Sequence, residues 1–167
     1  MTDNSQTYSP GDWLIHRVYG VGQVVDLEEK QLQKKVRSFY RVKTNDSTFW
    51  LPLEKAGSQR VEPLPSKRTV QRAIAALGKT PGEMSEKAKE RKSRIEEVRS
   101  SGSLLSTARL IRDLTHQNTV KKLTATEMDA LNVLTERFLK IGSVCLGLEI
   151  SDVRKRLNQK LAKTGSE

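Results

Sequence analysis

The chain has 167 residues, 35% of them hydrophobic, and carries 30 Lys and Arg against 20 Asp and Glu, a formal charge of +10. This length fits one large domain or two small ones, and the modest apolar content suffices only for small cores. No apolar run of about 18 residues offers a membrane-spanning helix, the opening Met1–Gln6 lacks the basic and apolar regions of a secretory leader, and the single cysteine, Cys145, excludes an internal disulfide.

The first strand is expected over Asp12–His16, followed by a glycine-rich turn at Tyr19-Gly-Val-Gly22. A second strand runs from Val21 to Leu27, with Val21, Val25 and Leu27 inward at period two. Glu28–Lys35 reads as a charged loop or hairpin tip. Ser38–Thr44 and Thr48–Leu53 flank an Asn45-Asp46-Ser47 turn and form a plausible hairpin. Strands this short, joined by tight turns, bury their apolar side chains by curling into a small SH3- or Tudor-like barrel. Pro52 cannot donate to a ladder, so the last strand is expected at an edge.

Pro63-Leu-Pro65 breaks the chain and introduces helices. Ser66 is a good N-cap for a helix carrying Val70, Ala73, Ile74 and Leu77, stopped at Gly78. Thr80-Pro-Gly-Glu83 has the form of a capping box, predicting a helix to about Ser100 with Met84, Ala88, Ile95 and Val98 as its apolar stripe. Ser103 caps a third helix, with Leu104, Ala108, Ile111 and Leu114 inward. Thr124-Ala-Thr-Glu127 is a second capping box, whose helix buries Met128, Leu131, Leu134, Phe138 and Ile141. Ser151 caps a last helix built on Val153, Leu157 and Leu161. The fold class is α+β: a small β domain over residues 1–62, then a compact five-helix domain over 66–163.

Charge divides at the same boundary. Residues 1–65 hold nine cationic side chains against eight acidic ones, whereas 66–167 hold 21 against 12. A field of that size on one module attracts polyanions. Lys87, Lys89, Arg91, Lys92 and Arg94 crowd one predicted helix, with Lys67, Arg68 and Arg72 and then Arg154-Lys-Arg156 as further clusters. Phosphate contact is the functional reading of these patches; a solvated helix face is the bland one.

Catalytic and metal signatures are missing from the sequence. His16 and His116 lie far apart, no His-x-x-x-His, Cys-x-x-Cys or Gly-x-Ser-x-Gly occurs, and Tyr19-Gly-Val-Gly22 lacks the Lys-Ser/Thr of a phosphate-binding loop. Cys145, in an apolar stretch without a neighbouring base, reads as a packed thiol. No cofactor, metal or small-molecule substrate is expected. Phe49 and Trp50 are adjacent on a strand, so their rings point to opposite faces. Trp50 is expected to be the exposed ring and a docking point for a partner, against the alternative that both are partly buried.

Gly11-Asp-Trp-Leu-Ile-His-Arg-Val-Tyr-Gly-Val-Gly22, Tyr40-Arg-Val-Lys43 and Phe49-Trp-Leu-Pro52 resemble the N-terminal RNA-polymerase-interacting domain of the CarD/CdnL bacterial transcription factors, a domain shared with transcription-repair coupling factors. Ser101-Gly102 ahead of Ala108-Arg-Leu-Ile-Arg-Asp-Leu114, then Lys122–Glu127, is similar to the helical domain of that family, and the resemblance spans residues 8–162.

The resemblance implies a Tudor-like domain that pairs an edge strand with the polymerase β subunit, and a helical domain that contacts promoter DNA and stabilises the open complex. A monomeric, cytoplasmic, nucleoid-associated, non-enzymatic regulator with no membrane partner is expected. Lys30, Arg41, Phe49, Trp50 and Leu51 are the candidate polymerase contacts, and Lys87, Lys89, Arg91, Lys92 and Arg94 the candidate DNA contacts. Relatives often carry Arg where this chain has Lys30 and Trp50. They also insert a Trp as a minor-groove wedge at the position of Lys87 or Ala88, whereas this chain has no aromatic from Ala56 to Arg137. DNA is therefore expected to be held by charge. The alternatives are a nucleic-acid-binding protein that acts without polymerase and, last, an enzyme whose groups meet only in three dimensions.

Overall fold

The computed structural model describes residues 7–56, 60–101 and 103–164. The chain divides at Leu64/Pro65 into two compact units, where Pro63 and Pro65 interrupt regular structure on either side.

The first unit is a five-stranded antiparallel sheet of β1 (Trp13–His16), β2 (Gly20–Leu32), β3 (Lys35–Lys43), β4 (Thr48–Pro52) and β5 (Val61–Pro63). Their order is β4-β3-β2-β1-β5. Phe49 and Leu51 on one edge strand and Val61 on the other share a single core with Leu14, Val24, Tyr40, Val42 and Ala56. The sheet must curl for its edges to meet in one core, which gives the expected Tudor-like domain.

The glycine-rich turn has a specific cause. His16 is buried, and its Nδ1 accepts the backbone N–H groups of Val18 (3.0 Å) and Tyr19 (3.2 Å). The imidazole folds the chain back onto β1, and Gly20 completes the reversal at φ +79°. Gly22 serves a different need, since a Cβ there would lie 2.6 Å from Val42 Cγ1. Tyr19 stacks on Phe49, with centroids 4.5 Å apart, and closes this end of the core.

One expectation for this unit is corrected and one is narrowed. Val24 enters the core while Val25 and Leu27 are exposed, and a β-bulge between Val24 and Asp26 shifts the β2–β3 register there. Of the two readings of Glu28–Lys35 the hairpin tip holds: β2 and β3 continue to a two-residue turn at Gln33 (φ +49°) and Lys34 (φ +72°). Both turn residues are left-handed, as a tight hairpin requires, but neither is the Gly or Asn that would signal it. A fifth strand, β5, was not anticipated, because three residues ending on a proline are too few to show alternation.

The second unit contains α1 (Lys67–Leu77), α2 (Ala88–Ser101), α3 (Leu104–Val120), α4 (Ala125–Leu146) and α5 (Ile150–Lys163). Ser66 Oγ accepts Thr69 N–H at 3.1 Å and Ser103 Oγ accepts Ser106 N–H at 3.3 Å. Thr124 and Glu127 close a full capping box. Leu110, Ile111 and Leu114 of α3 are buried at the centre with Leu77, Phe138, Leu139 and Val153; Met128 and Leu131 are only half-buried.

Two helix starts differ from expectation. α5 begins at Ile150, one residue ahead of Ser151, and its N-cap Glu149 makes no side-chain cap bond. More consequential is α2. It starts at Ala88, and Thr80–Lys87 is a non-helical strap. Met84 is buried on that strap rather than on a helix, and Ala88 is exposed.

Candidate functional site

Two constellations stand out, one in each unit. The first lies on the outer face of β2, β3 and β4. Register sets Asp26 opposite Arg41, and Arg41 opposite Trp50, so the three share one row across the sheet. Glu28 and Lys30 follow on the same face of β2 by alternation. Trp50 is 42% exposed. Its indole Nε1–H donates to Glu28 Oε2 at 2.8 Å, and the ammonium of Lys30 sits 3.7 Å from the ring centroid in a cation–π contact. Arg41 Nε lies 3.4 Å from the other oxygen of Glu28. A rigid, half-exposed aromatic is thus braced by a carboxylate and flanked by two cations. β4 pairs only with β3 among the described residues, so the edge next to Trp50 is open for another strand.

The structure brings Lys30, Arg41 and Trp50 together, as the candidate set requires, and separates Phe49 and Leu51 from them. Those two are 7% and 4% exposed and belong to the core, so their side chains cannot form the docking surface. Strand alternation assigns Trp50 outward and Phe49 inward. Glu28 was missed by sequence reasoning because it sat in an expected charged loop or hairpin tip, where no face could be assigned; as a strand residue two positions before Lys30, it shares the face of Lys30.

The second constellation involves α2 and corrects the expected cationic stripe. Arg91 does not face solvent. Its Nε donates to Glu127 Oε1 at 2.5 Å, and its Nη1 donates to the carbonyls of Ser85 and Glu86, each at 2.9 Å. Arg94 donates to Asp113 Oδ2 at 2.7 Å and to the thioether of Met84 at 2.9 Å. Asp113, only 2% exposed, also accepts from Arg112 Nε and from the backbone N–H of Gly82, both at 2.8 Å. Burial pushes this carboxyl up, but the hydrogen bonds from Arg112, Arg94 and Gly82 outweigh it and hold Asp113 below the usual carboxylate range. Burial likewise raises Glu127, and the Arg91 bond and the Thr124 amide overcome it.

Arg91 and Arg94 are therefore internal struts that fasten the strap to α3 and α4. The reason lies in long-range pairing: the carboxylates that claim them are 36 and 19 residues away in sequence. Lys87, Lys89 and Lys92 remain exposed. Lys87 precedes the helix and stands 3.5 Å from Glu90.

Among the described residues no group of three or more His, Cys, Asp or Glu side chains could hold a metal ion, and no helix is long and apolar enough to cross a membrane. Cys145 is half-buried, its Sγ lies 3.4 Å from the Pro65 carbonyl, and burial pushes its thiol pKa up, away from the reactive thiolate.

Comparison with known families places both units. Residues 8–64 match the CarD-like/TRCF RID domain, which makes the curled sheet an RNA-polymerase-interacting domain and the chain a transcription factor of the polymerase-binding class. Residues 72–158 match the CarD C-terminal domain. With both domains present in order, the chain belongs to the CarD family. No curated protein matches it.

Proposed function

We propose that the protein regulates transcription by docking its β unit on the polymerase β subunit while its helical unit holds promoter DNA, stabilising the open complex. The observation that carries this reading is the cluster on β2, β3 and β4. Lys30, Arg41 and Trp50 converge beside an open strand edge on the domain whose family interacts with polymerase. Edge pairing supplies main-chain hydrogen bonds, and a braced aromatic with flanking cations supplies the anchor that such interfaces concentrate their affinity on. The helical unit contributes most of the positive charge and presents Lys87, Lys89 and Lys92 on and beside α2. Without an aromatic wedge, its hold on DNA is electrostatic and falls steeply with salt.

The proposed boundaries are residues 1–62 for polymerase and 66–163 for DNA, acting as a monomer in the nucleoid. The test is open-complex lifetime on a promoter with and without the protein, across a salt series. Lifetime should lengthen at low salt and the gain should shrink as salt rises. An unchanged lifetime at every salt concentration would refute open-complex stabilisation.

A further inference from the structure

The strongest cationic surface of the helical unit is not α2. No acidic residue occurs between Glu62 and Glu83, a stretch that contains all of α1 with Lys67, Arg68 and Arg72. α5 carries Lys155, Arg156, Lys160 and Lys163 against the lone Asp152, with its Arg154 paired to Glu136 at 2.7 Å. By contrast α2 sets Lys89, Arg91, Lys92, Arg94 and Arg99 against Glu90, Glu96 and Glu97, and two of those arginines are held internally. α1 and α5 pack against each other: a Cβ on Gly78, at the end of α1, would lie 3.3 Å from the Cδ of Lys160. Each helix turns its apolar stripe inward, Val70, Ala73, Ile74 and Leu77 on α1 and Val153 and Leu157 on α5. Lys67, Arg68 and Arg72 on one helix and Lys155 and Arg156 on the other are left exposed.

We infer that the paired α1–α5 face is a second nucleic-acid surface that takes the phosphate backbone of double-stranded DNA. This deepens the proposed DNA contact and rests on that reading. Charge complementarity selects a polyanion, and aromatic content selects its form. Single strands are held by bases stacked on exposed rings. The helical unit has one aromatic residue, Phe138, and it is buried. With no Phe, Tyr or Trp of this unit exposed and His116 on α3 its lone surface ring among the described residues, there is no row of rings for successive bases, so backbone phosphates are what the cations hold, and a duplex displays these densely and without regard to sequence. Two packed helices, with axes about 8–10 Å apart, present cations over a width comparable to a duplex groove edge.

The experiment measures the affinity of the full-length protein for a mixed-sequence duplex as a function of salt. Arg68→Gln/Arg72→Gln/Arg156→Gln is compared with Lys87→Gln/Lys89→Gln/Lys92→Gln, and with a charge-retaining Arg68→Lys/Arg72→Lys/Arg156→Lys variant. Each phosphate contact adds about 0.9 to the log–log salt slope. The α1–α5 triple should flatten the slope by about 2.7, so that between 50 and 200 mM salt the wild type loses about 40-fold more affinity than the variant. The α2 triple should flatten it less, and the lysine variant should retain the wild-type slope. An unchanged slope in the α1–α5 triple alongside a collapsed one in the α2 triple would overturn the inference and leave the DNA reading standing. Tighter binding of a single strand than of the duplex would also overturn it. A wild type with no salt-sensitive binding would instead remove the DNA reading itself.

Discussion

Asp113→Asn should unfold the helical unit well before the β unit. The side chain is 2% exposed and accepts from Gly82, Arg94 and Arg112 at 2.7–2.8 Å. Asparagine keeps the shape, but it is neutral and turns an NH2 group toward donors. Its remaining oxygen can still accept from Arg112 and Gly82, but the NH2 then faces Arg94, and Arg112, whose side chain is 11% exposed, keeps its charge without an opposing one. Removing one member of a buried pair costs about 3–5 kcal/mol. Arg94 is 35% exposed, so water compensates part of its loss, and the expected total is about 3 kcal/mol. For a unit of this size each kcal/mol moves Tm by about 4–8 °C, which gives a drop of about 12–24 °C. The assay separates the units cleanly, because both tryptophans, Trp13 and Trp50, lie in the β unit. Fluorescence follows the sheet and far-ultraviolet circular dichroism follows the helices. The dichroism midpoint should fall while the fluorescence midpoint stays. The acid limb supplies a second check. Since the folded carboxyl lies below its ordinary range, its stabilisation is present above the unfolded value of about 3.9 and is lost as pH falls through the folded one. The gap between wild type and variant should therefore close in acid. A helical midpoint shifted by less than about 1 kcal/mol equivalent would show that the strap is not held by this carboxylate.

Two further predictions concern the β unit. Burial and the nearby Arg60 lower the pKa of His16, so its stabilisation is complete above the unfolded value of about 6.5 and declines as pH falls toward the folded one; the fluorescence midpoint should drop between pH 7.5 and pH 5.5, on the order of the window set by that value, and His16→Gln should abolish this dependence, whereas equal wild-type midpoints would mean that Nδ1 does not hold the turn. Gly22→Ala drives a methyl to 2.6 Å from Val42 Cγ1 and should cost about 1–3 kcal/mol in denaturant titration; a variant as stable as the wild type would show that the two strands can separate freely there.

Local signals were readable where local bonds decide the structure. Ser66, Ser103 and Thr124 cap their helices through neighbours three residues on, and the parity of Phe49 and Trp50 follows from strand alternation alone. Thr80-Pro-Gly-Glu83 failed for the opposite reason. The N–H of Gly82 goes to Asp113, 31 residues away, and the Ser85 and Glu86 carbonyls go to Arg91. Tertiary partners outcompeted the helix for the same backbone groups. The same carboxylates drew Arg91 and Arg94 out of the expected cationic stripe, so reversing those arginines to Glu would test folding rather than phosphate contact. In the β unit, polar residues hid the extension of β2 and β3, and the phase of β2 was misjudged, since Val24 rather than Val25 faces the core.

The central claim is that the face around Trp50 docks polymerase. The decisive measurement is the affinity of the full-length protein for the isolated polymerase β subunit, for wild type, Trp50→Ala and the Lys87/Lys89/Lys92→Gln triple. Loss of a central aromatic anchor costs about 2 kcal/mol or more, so Trp50→Ala should weaken binding about 30-fold or more with unchanged melting of either unit. The lysine triple should bind like wild type. Wild-type affinity in a correctly folded Trp50→Ala protein would contradict the account.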